Sequence, residues 1–466
     1  MKIIILAGGG GTRLFPLSRT SFPKQFLKIG SDKTLLGQTF DRYSELVEPK
    51  DIIVVTNQEY YYHVEAEIKD CGIENAHVLL EPCAKNTAPA IALAAKYILE
   101  KIGGETDEVL FICPSDHVII PKDVFINDVK TVIKAAQNNK IVTIGVKPNK
   151  PETGYGYIKI GLPWQYGHKV DEFVEKPDLA RAMQYVSSGK YYWNSGMYAF
   201  SIKTFIEELA LHQAGIYDLF TNNSYEEMIR NFEGMPSISI DYAVAEKSSR
   251  VITIPISSYW NDIGSWDAIY DAMQKDENKN VKNGDCMTID CSDSLLIGAD
   301  RLVAGIGLED MIVIETDDVI LVSKKGESQK VKEFVEKLKK TKRKEAIQHT
   351  TSYMLWGNYT TIARGLGYKV KKMTIYPEQK ILMQMHYHRS EHWIVIKGTA
   401  KITIDEDIRY VSENESIFMP KAVRYVLENP GKVDLEIIEV QNGSYLEEDD
   451  VVNFKIIEQK SKGLIV

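Results

Sequence analysis

Four consecutive glycines, Gly8, Gly9, Gly10 and Gly11, end a short apolar run at residues 2–6, and two cations, Arg13 and Lys24, follow in the same opening stretch, MKIIILAGGGGTRLFPLSRTSFPKQFLKIG. Without Cβ atoms such a loop folds tightly and turns several backbone N–H groups toward one anion, whose charge the two cations then offset. The chemistry this suits is the holding of a polyphosphate. Spacing excludes two other phosphate loops. The G-x-x-x-x-G-K-[ST] loop needs Lys and Ser/Thr where Thr12 and Arg13 follow the glycines, and the dinucleotide fingerprint needs a third Gly where Arg13 stands. A plain flexible turn is the bland alternative. The place directly after a buried strand, Arg13 and the Pro23-Lys24 pair weigh against it.

Two further sets of residues could do chemistry. C-P-S-D-H places Asp116 and His117 after an apolar run, and Y-W-N-D-I-G-S-W places Asp262 after another. A lone Asp after a strand is more often a cap or turn former than a ligand, so Asp116 needs a partner carboxylate, and Asp262 is available. Near the other end, Q-M-H-Y-H alternates with period two, which puts Gln384, His386 and His388 on one face of a strand with Glu391 or His392 beyond. That is a candidate set for a divalent metal.

The elements that must position these residues follow from pattern. Apolar runs at 2–6, 52–56, 78–80, 109–113 and 251–256 alternate with helical patterns, which predicts an α/β chain with a doubly wound parallel sheet. Ligands of such sheets bind at the carboxyl ends of the strands, where the glycines and both aspartates fall. After Glu81, the segment E-P-C-A-K-N-T-A-P-A opens a helix that Asn86 or Thr87 can cap, with Pro89 in its first turn. Beyond about residue 276, short alternating runs suggest a small β-prism or β-helix. An amphipathic helix follows with Val331, Phe334, Val335 and Leu338 on one face, then a linker near 339–345. From about residue 350 the chain reads as strands, at 381–388, 392–396, 400–404, 416–419 and 435–440.

Bulk properties narrow the function classes. The 466 residues are 44% hydrophobic, enough for two or three folded domains. Lys plus Arg number 56 against 65 Asp plus Glu, a net charge of −9, which disfavours nucleic acid or a polyanionic membrane as partner. No apolar run approaches the roughly 20 residues that cross a bilayer, and a cytoplasmic protein is expected. Cys71, Cys83, Cys113, Cys286 and Cys291 form no C-x-x-C pair, so reduced thiols are expected rather than a zinc-thiolate site.

L-A-G-G-G-G-T-R-L-F-P-L-S-R followed by P-K-Q-F resembles the pyrophosphorylase signature of the sugar-nucleotidyltransferases, above all the mannose-1-phosphate guanylyltransferases. The resemblance implies a Rossmann-like nucleotidyltransferase domain that makes GDP-mannose and pyrophosphate from GTP and mannose 1-phosphate. It implies that Leu6, Ala7, Gly8, Gly9, Gly10, Gly11 and Thr12 cradle the nucleotide with Arg13, and that Lys24 stabilises the reacting phosphates. It adds Glu81, Lys85, Asn86 and Thr87 as nucleotide contacts and gives Asp116 and Asp262 to Mg²⁺. For the sugar side it implies Gly154 and Gly156 in P-E-T-G-Y-G-Y-I, Glu175 for hydroxyls and Lys176 for phosphate in F-V-E-K-P, and Asn194 in W-N-S-G-M. Guanine and mannose rest on the resemblance alone.

The C-terminal part, through Q-M-H-Y-H-R-S-E-H-W-I-V-I-K-G-T-A, L-E-N-P-G and I-E-V-Q-N-G-S-Y-L-E-E-D-D, resembles the cupin β-barrel of bifunctional enzymes that also interconvert mannose 6-phosphate and fructose 6-phosphate. There Gln384, His386, His388 and Glu391 would hold Zn²⁺ or another divalent ion. Three departures stand out. Tyr425 replaces a metal-completing His, Tyr353, Met354 and Leu355 replace Arg-Pro before Trp356-Gly357, and Asn453, Phe454, Lys455 and Ile456 replace a basic ending. The expected organisation is a transferase domain at 1–280, a β-helix-like segment with helix and linker at 281–345, and a cupin at 350–466, assembled as a homo-oligomer. An active transferase with a weak or inactive cupin is the leading expectation. Full bifunctionality and a non-catalytic sugar-nucleotide-binding regulator are the alternatives.

Overall fold

The computed structural model describes residues 1–454 and divides into two compact units, Met1–Ile347 and Gln348–Val466. In the first unit the strands are β1 Lys2–Leu6, β2 Ile52–Asn57, β3 His77–Glu81, β4 Val109–Pro114, β5 Val118–Ile120, β6 Ile141–Val146, β7 Tyr157–Trp164, β8 Gly167–Val174, β9 Tyr191–Ser201, β10 Val251–Pro255 and β11 Tyr259–Asn261. Nine of them form one sheet in the order β3-β2-β1-β4-β9-β6-β10-β8-β7, while β5 pairs with β11. Helices cover both faces, so the parallel strands are apolar on both sides. Ile3 and Ile5 enter one core and Ile4 the other, all fully buried.

The sheet is not wholly parallel. β9 runs antiparallel between β4 and β6, with Ile112 opposite Tyr198 and Gly145 opposite Asn194. The β7-β8 hairpin and the helix Leu179–Ser188 return the chain to the carboxyl edge of the parallel strands, so β9 enters there and runs back. The reversal has a consequence for the site. It sets Trp193, Asn194 and Ser195 at the edge where ligands bind. β11 does the same for Asp262, because Asn261 lies opposite Val118, one residue past His117.

The segment after the sheet forms short coils. Val281–Asn283, Leu295–Ile297 and Met311–Glu315 stack in parallel, Cys286–Ile289 pairs in parallel with Val303–Ile306, and Ile320–Lys324 closes the first stack antiparallel. Leu295, Ile312 and Ile314 share a core with Leu14 and Phe15 of the opening loop and with Trp266. Helix Val331–Lys340 buries Val331 and Val335, while Phe334 is half-exposed and touches Phe15 with ring centroids 6.0 Å apart. Arg19 fastens this arrangement. Fully buried, it donates to Asp318 at 2.7 and 3.0 Å, to the Glu345 carbonyl at 2.5 Å and to the Pro16 carbonyl at 2.8 Å.

The second unit is two antiparallel sheets of six and five strands around Ile375, Trp393, Val395, Ile402, Leu427 and Ile437. One expected strand is shorter than its sequence pattern. Lys380–His386 ends at His386, and Arg389–Lys397 begins after a two-residue turn. Asp450 pins that turn by accepting from the N–H groups of Tyr387 at 3.3 Å and His388 at 3.1 Å.

Candidate active site

The glycine turn is braced from beneath. The Ala7 carbonyl accepts from Thr56 Oγ1 and from Gln25 Nε2, each at 3.1 Å, and Gln25 also reaches the Gly9 carbonyl at 3.3 Å. The backbone N–H groups of Gly8, Gly9, Gly10 and Gly11 make no hydrogen bond among the described residues, so the turn presents a row of free donors. Thr12 and Arg13 continue it in a short 3₁₀ turn, and the Arg13 side chain is exposed. Gly11 also makes room for Lys24. A Cβ there would lie 2.9 Å from Lys24 Cγ.

Lys24 joins the two aspartates. Its ammonium donates to the Asp262 carbonyl at 2.6 Å and stands 3.0 Å from Asp116 Oδ2. Tyr155 donates its hydroxyl to Asp262 Oδ1 at 2.7 Å. Burial pushes the Asp262 carboxyl up, but the Lys24 charge and the Tyr155 hydrogen bond outweigh it and hold the group below the usual carboxylate range. Burial, opposed by Asp116, lowers His117 to about 4, so the ring is neutral at pH 7. Its Nδ1 accepts from Trp260 Nε1 at 3.1 Å. Carboxylate oxygens at this spot suit a hard cation, which takes water and phosphate oxygens as its remaining ligands.

A cavity of about 490 Å³ opens at the carboxyl edge of β1 and β4. Of the expected residues, Leu6, Gly8, Gly9, Gly10, Glu81, Asn86, Thr87 and Asp116 line it. Helix Thr87–Lys101 points its N-terminus there, capped by Asn86 Oδ1 accepting from Thr87 N at 2.9 Å. Asn86 holds φ +70°, a left-handed conformation that Asn tolerates. Thr87 is committed to the protein, accepting from Ile240 N at 2.8 Å, and Lys85 gives its carbonyl to Ile238 N at 3.1 Å. Glu81 differs. Its Oε1 is buried without a hydrogen-bond partner among the described residues, and burial pushes its pKa up to about 7.

Of the expected sugar-side residues, Asn194 reaches the cavity lining, its Nδ2 donating to Asp241 at 2.8 Å. Asn194 N donates to the Gly156 carbonyl at 2.8 Å, and a Cβ on Gly156 would fall 2.5 Å from Glu175 Oε2. Glu175 pairs with the exposed Lys176, and burial raises its pKa against that pairing. Gly154 N donates to Glu152 Oε1 at 3.2 Å. Sequence reasoning missed Gln25, Tyr155 and Asp241. The first two lie inside the quoted motifs P-K-Q-F and T-G-Y-G-Y, and Asp241, in S-I-D-Y-A, bears no motif of its own.

The candidate metal set in the second unit is corrected by the geometry. His388 does not share a face with Gln384 and His386. It lies in the turn, 59% exposed, with Nδ1 2.7 Å from Asp450 Oδ1. Gln384, His386 and Glu391 do converge, but on the Tyr425 hydroxyl, at 2.9, 2.7 and 3.0 Å. Arg389 Nε adds a bond to Glu391 Oε1 at 3.0 Å. Burial opposes ionisation of Glu391, yet His386 and Arg389 hold its carboxyl low. Burial and the Glu391 charge push neighbouring Glu439 up. Among the described residues no cluster of three or more His, Cys, Asp or Glu is arranged to hold a metal. Tyr353, Met354 and Leu355 are exposed. Asn453 lies opposite Gln384, Phe454 N donates to the Met383 carbonyl at 2.9 Å, and Lys455 and Ile456 lie outside the described residues.

Comparison with known proteins bears on both units. A nucleotidyl transferase family model matches residues 2–279, a MannoseP isomerase/GMP-like beta-helix domain 284–338, and a mannose-6-phosphate isomerase C-terminal domain 341–456. The chain is 44% identical to the xanthan biosynthesis protein XanB of Xanthomonas campestris pv. campestris over 97% of both chains. It is 41% identical to mannose-1-phosphate guanylyltransferase 2 of Escherichia coli O157:H7 over 97% of both. It is 42% identical to the alginate biosynthesis protein AlgA of Pseudomonas aeruginosa over 96% of this chain and 95% of that one. A crystal structure described as mannose-1-phosphate geranyltransferase from Thermus thermophilus superposes with TM-score 0.66 at 32% identity, covering 72% of this chain and 99% of that one. No helix among the described residues is long and apolar enough to cross a membrane.

Proposed function

Since the chain belongs to the nucleotidyl transferase family and matches a guanylyltransferase over 97% of its length, we propose that it joins mannose 1-phosphate to GTP, forming GDP-mannose and releasing pyrophosphate. A sugar 1-phosphate is a monoester with a second pKa of about 6, so its attacking oxygen is already ionised at pH 7 and no general base is required. The barrier is electrostatic. Two polyanions must meet while charge builds on the oxygens bridging to the departing pyrophosphate.

The residues of the site answer that problem. The free amides of the glycine turn and the exposed Arg13 suit the triphosphate, and Lys24 suits the reacting phosphates. Glu175 and Lys176 suit the hydroxyls and phosphate of the acceptor. Asp116 and Asp262 would hold Mg²⁺, which when bound supplies charge neutralisation on phosphate oxygens. The observation that supports this reading most is the Lys24 ammonium set against both aspartates beside a glycine turn whose donors are free.

The test is a pyrophosphate-release screen of GTP, ATP, UTP, CTP and dTTP against mannose, glucose and heptose 1-phosphates with Mg²⁺. GTP with mannose 1-phosphate should be the preferred pair; release from no pair would sink the reading in favour of a binding regulator. A cytoplasmic location belongs to the same proposal. For the cupin, the Tyr425 hydroxyl seated among Gln384, His386 and Glu391 favours a structural role over isomerisation. Turnover of mannose 6-phosphate with added Zn²⁺ at a rate comparable to the transferase would overturn that view.

A further inference from the structure

Asn194 has no hydrogen-bonding capacity left for a substrate. Its Oδ1 accepts from Thr143 Oγ1 at 2.9 Å and Gly196 N at 3.2 Å, and its Nδ2 donates to Asp241 Oδ1 at 2.8 Å and the Tyr198 hydroxyl at 3.3 Å. An amide side chain offers two donors and two lone pairs, and all four are engaged. Asp241 is in the opposite condition. Its Oδ1 takes Asn194 and the Tyr198 hydroxyl, the latter at 2.6 Å, while Oδ2 has no donor among the described residues.

Asp241 also lines the cavity, in company with Gly196 and Asp116. Two features fix it there. The backbone just before it is tied to the start of helix Thr87–Lys101, through Ile240 N to Thr87 Oγ1 at 2.8 Å and Ala88 N to the Ile238 carbonyl at 3.2 Å. Tyr198 is fully buried, and burial with the nearby Asp241 charge keeps its hydroxyl protonated as a donor. Glu175, beneath Gly156, lies near enough to feel the Asp241 charge. A carboxylate so held, with one oxygen open, accepts a strong hydrogen bond from a hydroxyl in a fixed direction.

We propose that Asp241 binds a hydroxyl of the sugar 1-phosphate and so helps to select the sugar, with Asn194 and Tyr198 as positioning residues that aim its free oxygen. This rests on the transferase reading and adds a specificity determinant to it.

The experiment measures pyrophosphate release from GTP with mannose 1-phosphate and its 2-, 3-, 4- and 6-deoxy analogues, for wild type, Asp241→Asn and Tyr198→Phe. Asp241→Asn should raise KM for mannose 1-phosphate about 10- to 100-fold, leave KM for GTP within about two-fold, and abolish the penalty that wild type shows for one deoxy position. Tyr198→Phe keeps the carboxylate and should retain that penalty with a smaller rise in KM. Asp241→Ser replaces Asp241→Asn if the latter is recovered misfolded. Wild-type turnover with the same deoxy penalties in the Asp241 variant overturns this inference alone; no wild-type turnover with any sugar 1-phosphate overturns the transferase reading together with it.

Discussion

Lys24 and Asp262, 238 positions apart in the chain, meet where the Lys24 ammonium donates to the Asp262 backbone carbonyl at 2.6 Å. The contact joins the loop after the first strand to the loop after β11, and Asp116 completes it at 3.0 Å from the same nitrogen. Under the proposed reaction, a cation fixed at that point would stabilise the charge that develops on the phosphates in the transition state, where preorganised donors have their largest effect. Lys24→Met should therefore lower kcat by about 10²- to 10³-fold while KM for GTP changes less. Steady-state kinetics on a variant whose circular dichroism matches wild type would check this, and an unchanged kcat would refute it.

Gly11→Ala tests whether Lys24 depends on the glycine beside it. The added methyl would stand 2.9 Å from Lys24 Cγ, so the lysine stem must shift. A displacement of about 1 Å at a reacting centre lowers rates by about 100-fold. Activity should fall toward that level with little change in melting temperature. Near-normal turnover would show that Lys24 relaxes without consequence.

Glu81 sets a pH dependence. In the folded chain its proton is held up to about pH 7, against an ordinary value of 4.5. Between those values the folded state binds more protons than the unfolded state, so Glu81 makes stability fall as pH rises through that window. Glu81→Gln removes the effect. Its melting temperature relative to wild type should be higher at pH 8 than at pH 5, and an equal difference at both would contradict the argument.

Arg19→Ala should be among the most damaging substitutions in the first unit. It would leave the Asp318 carboxylate without its cation and remove the Arg19 donor from the Pro16 and Glu345 carbonyls. Breaking a buried pair on one side costs about 3–5 kcal/mol. The midpoint of denaturant unfolding would read the loss, and a midpoint unchanged from wild type would remove Arg19 as the fastener of the opening loop.

Tyr425→Phe isolates the hydroxyl at the centre of the cupin cluster. Gln384, His386 and Glu391 each lose a partner, at a cost of about 1–3 kcal/mol when a buried polar group is left unsatisfied. The second unit should melt earlier while pyrophosphate release persists. Equal loss of both would tie the cluster to the transferase.

Much of this site is legible from the chain because one strand and one turn define it. The run Lys2–Leu6 reads as buried, and glycines directly after such a strand read as a loop whose backbone donors can meet a ligand. What distant parts contribute is not legible in the same way. The antiparallel course of β9 depends on how a hairpin and a helix return the chain, which no local period records. Asp241 reaches the cavity only because residues 238–240 hydrogen bond to the start of helix Thr87–Lys101. The alternation Gln384, His386, His388 predicted one face, and the turn pinned by Asp450 ended the strand before His388 could join it.

The most direct measurement is single-turnover pyrophosphate release from GTP and mannose 1-phosphate with Mg²⁺, comparing wild type with Asp116→Asn and Asp262→Asn. Wild type should release pyrophosphate, and each variant should lose at least about 100-fold. Release at the wild-type rate from either variant, or none from wild type with any nucleotide and sugar 1-phosphate, would contradict the proposal.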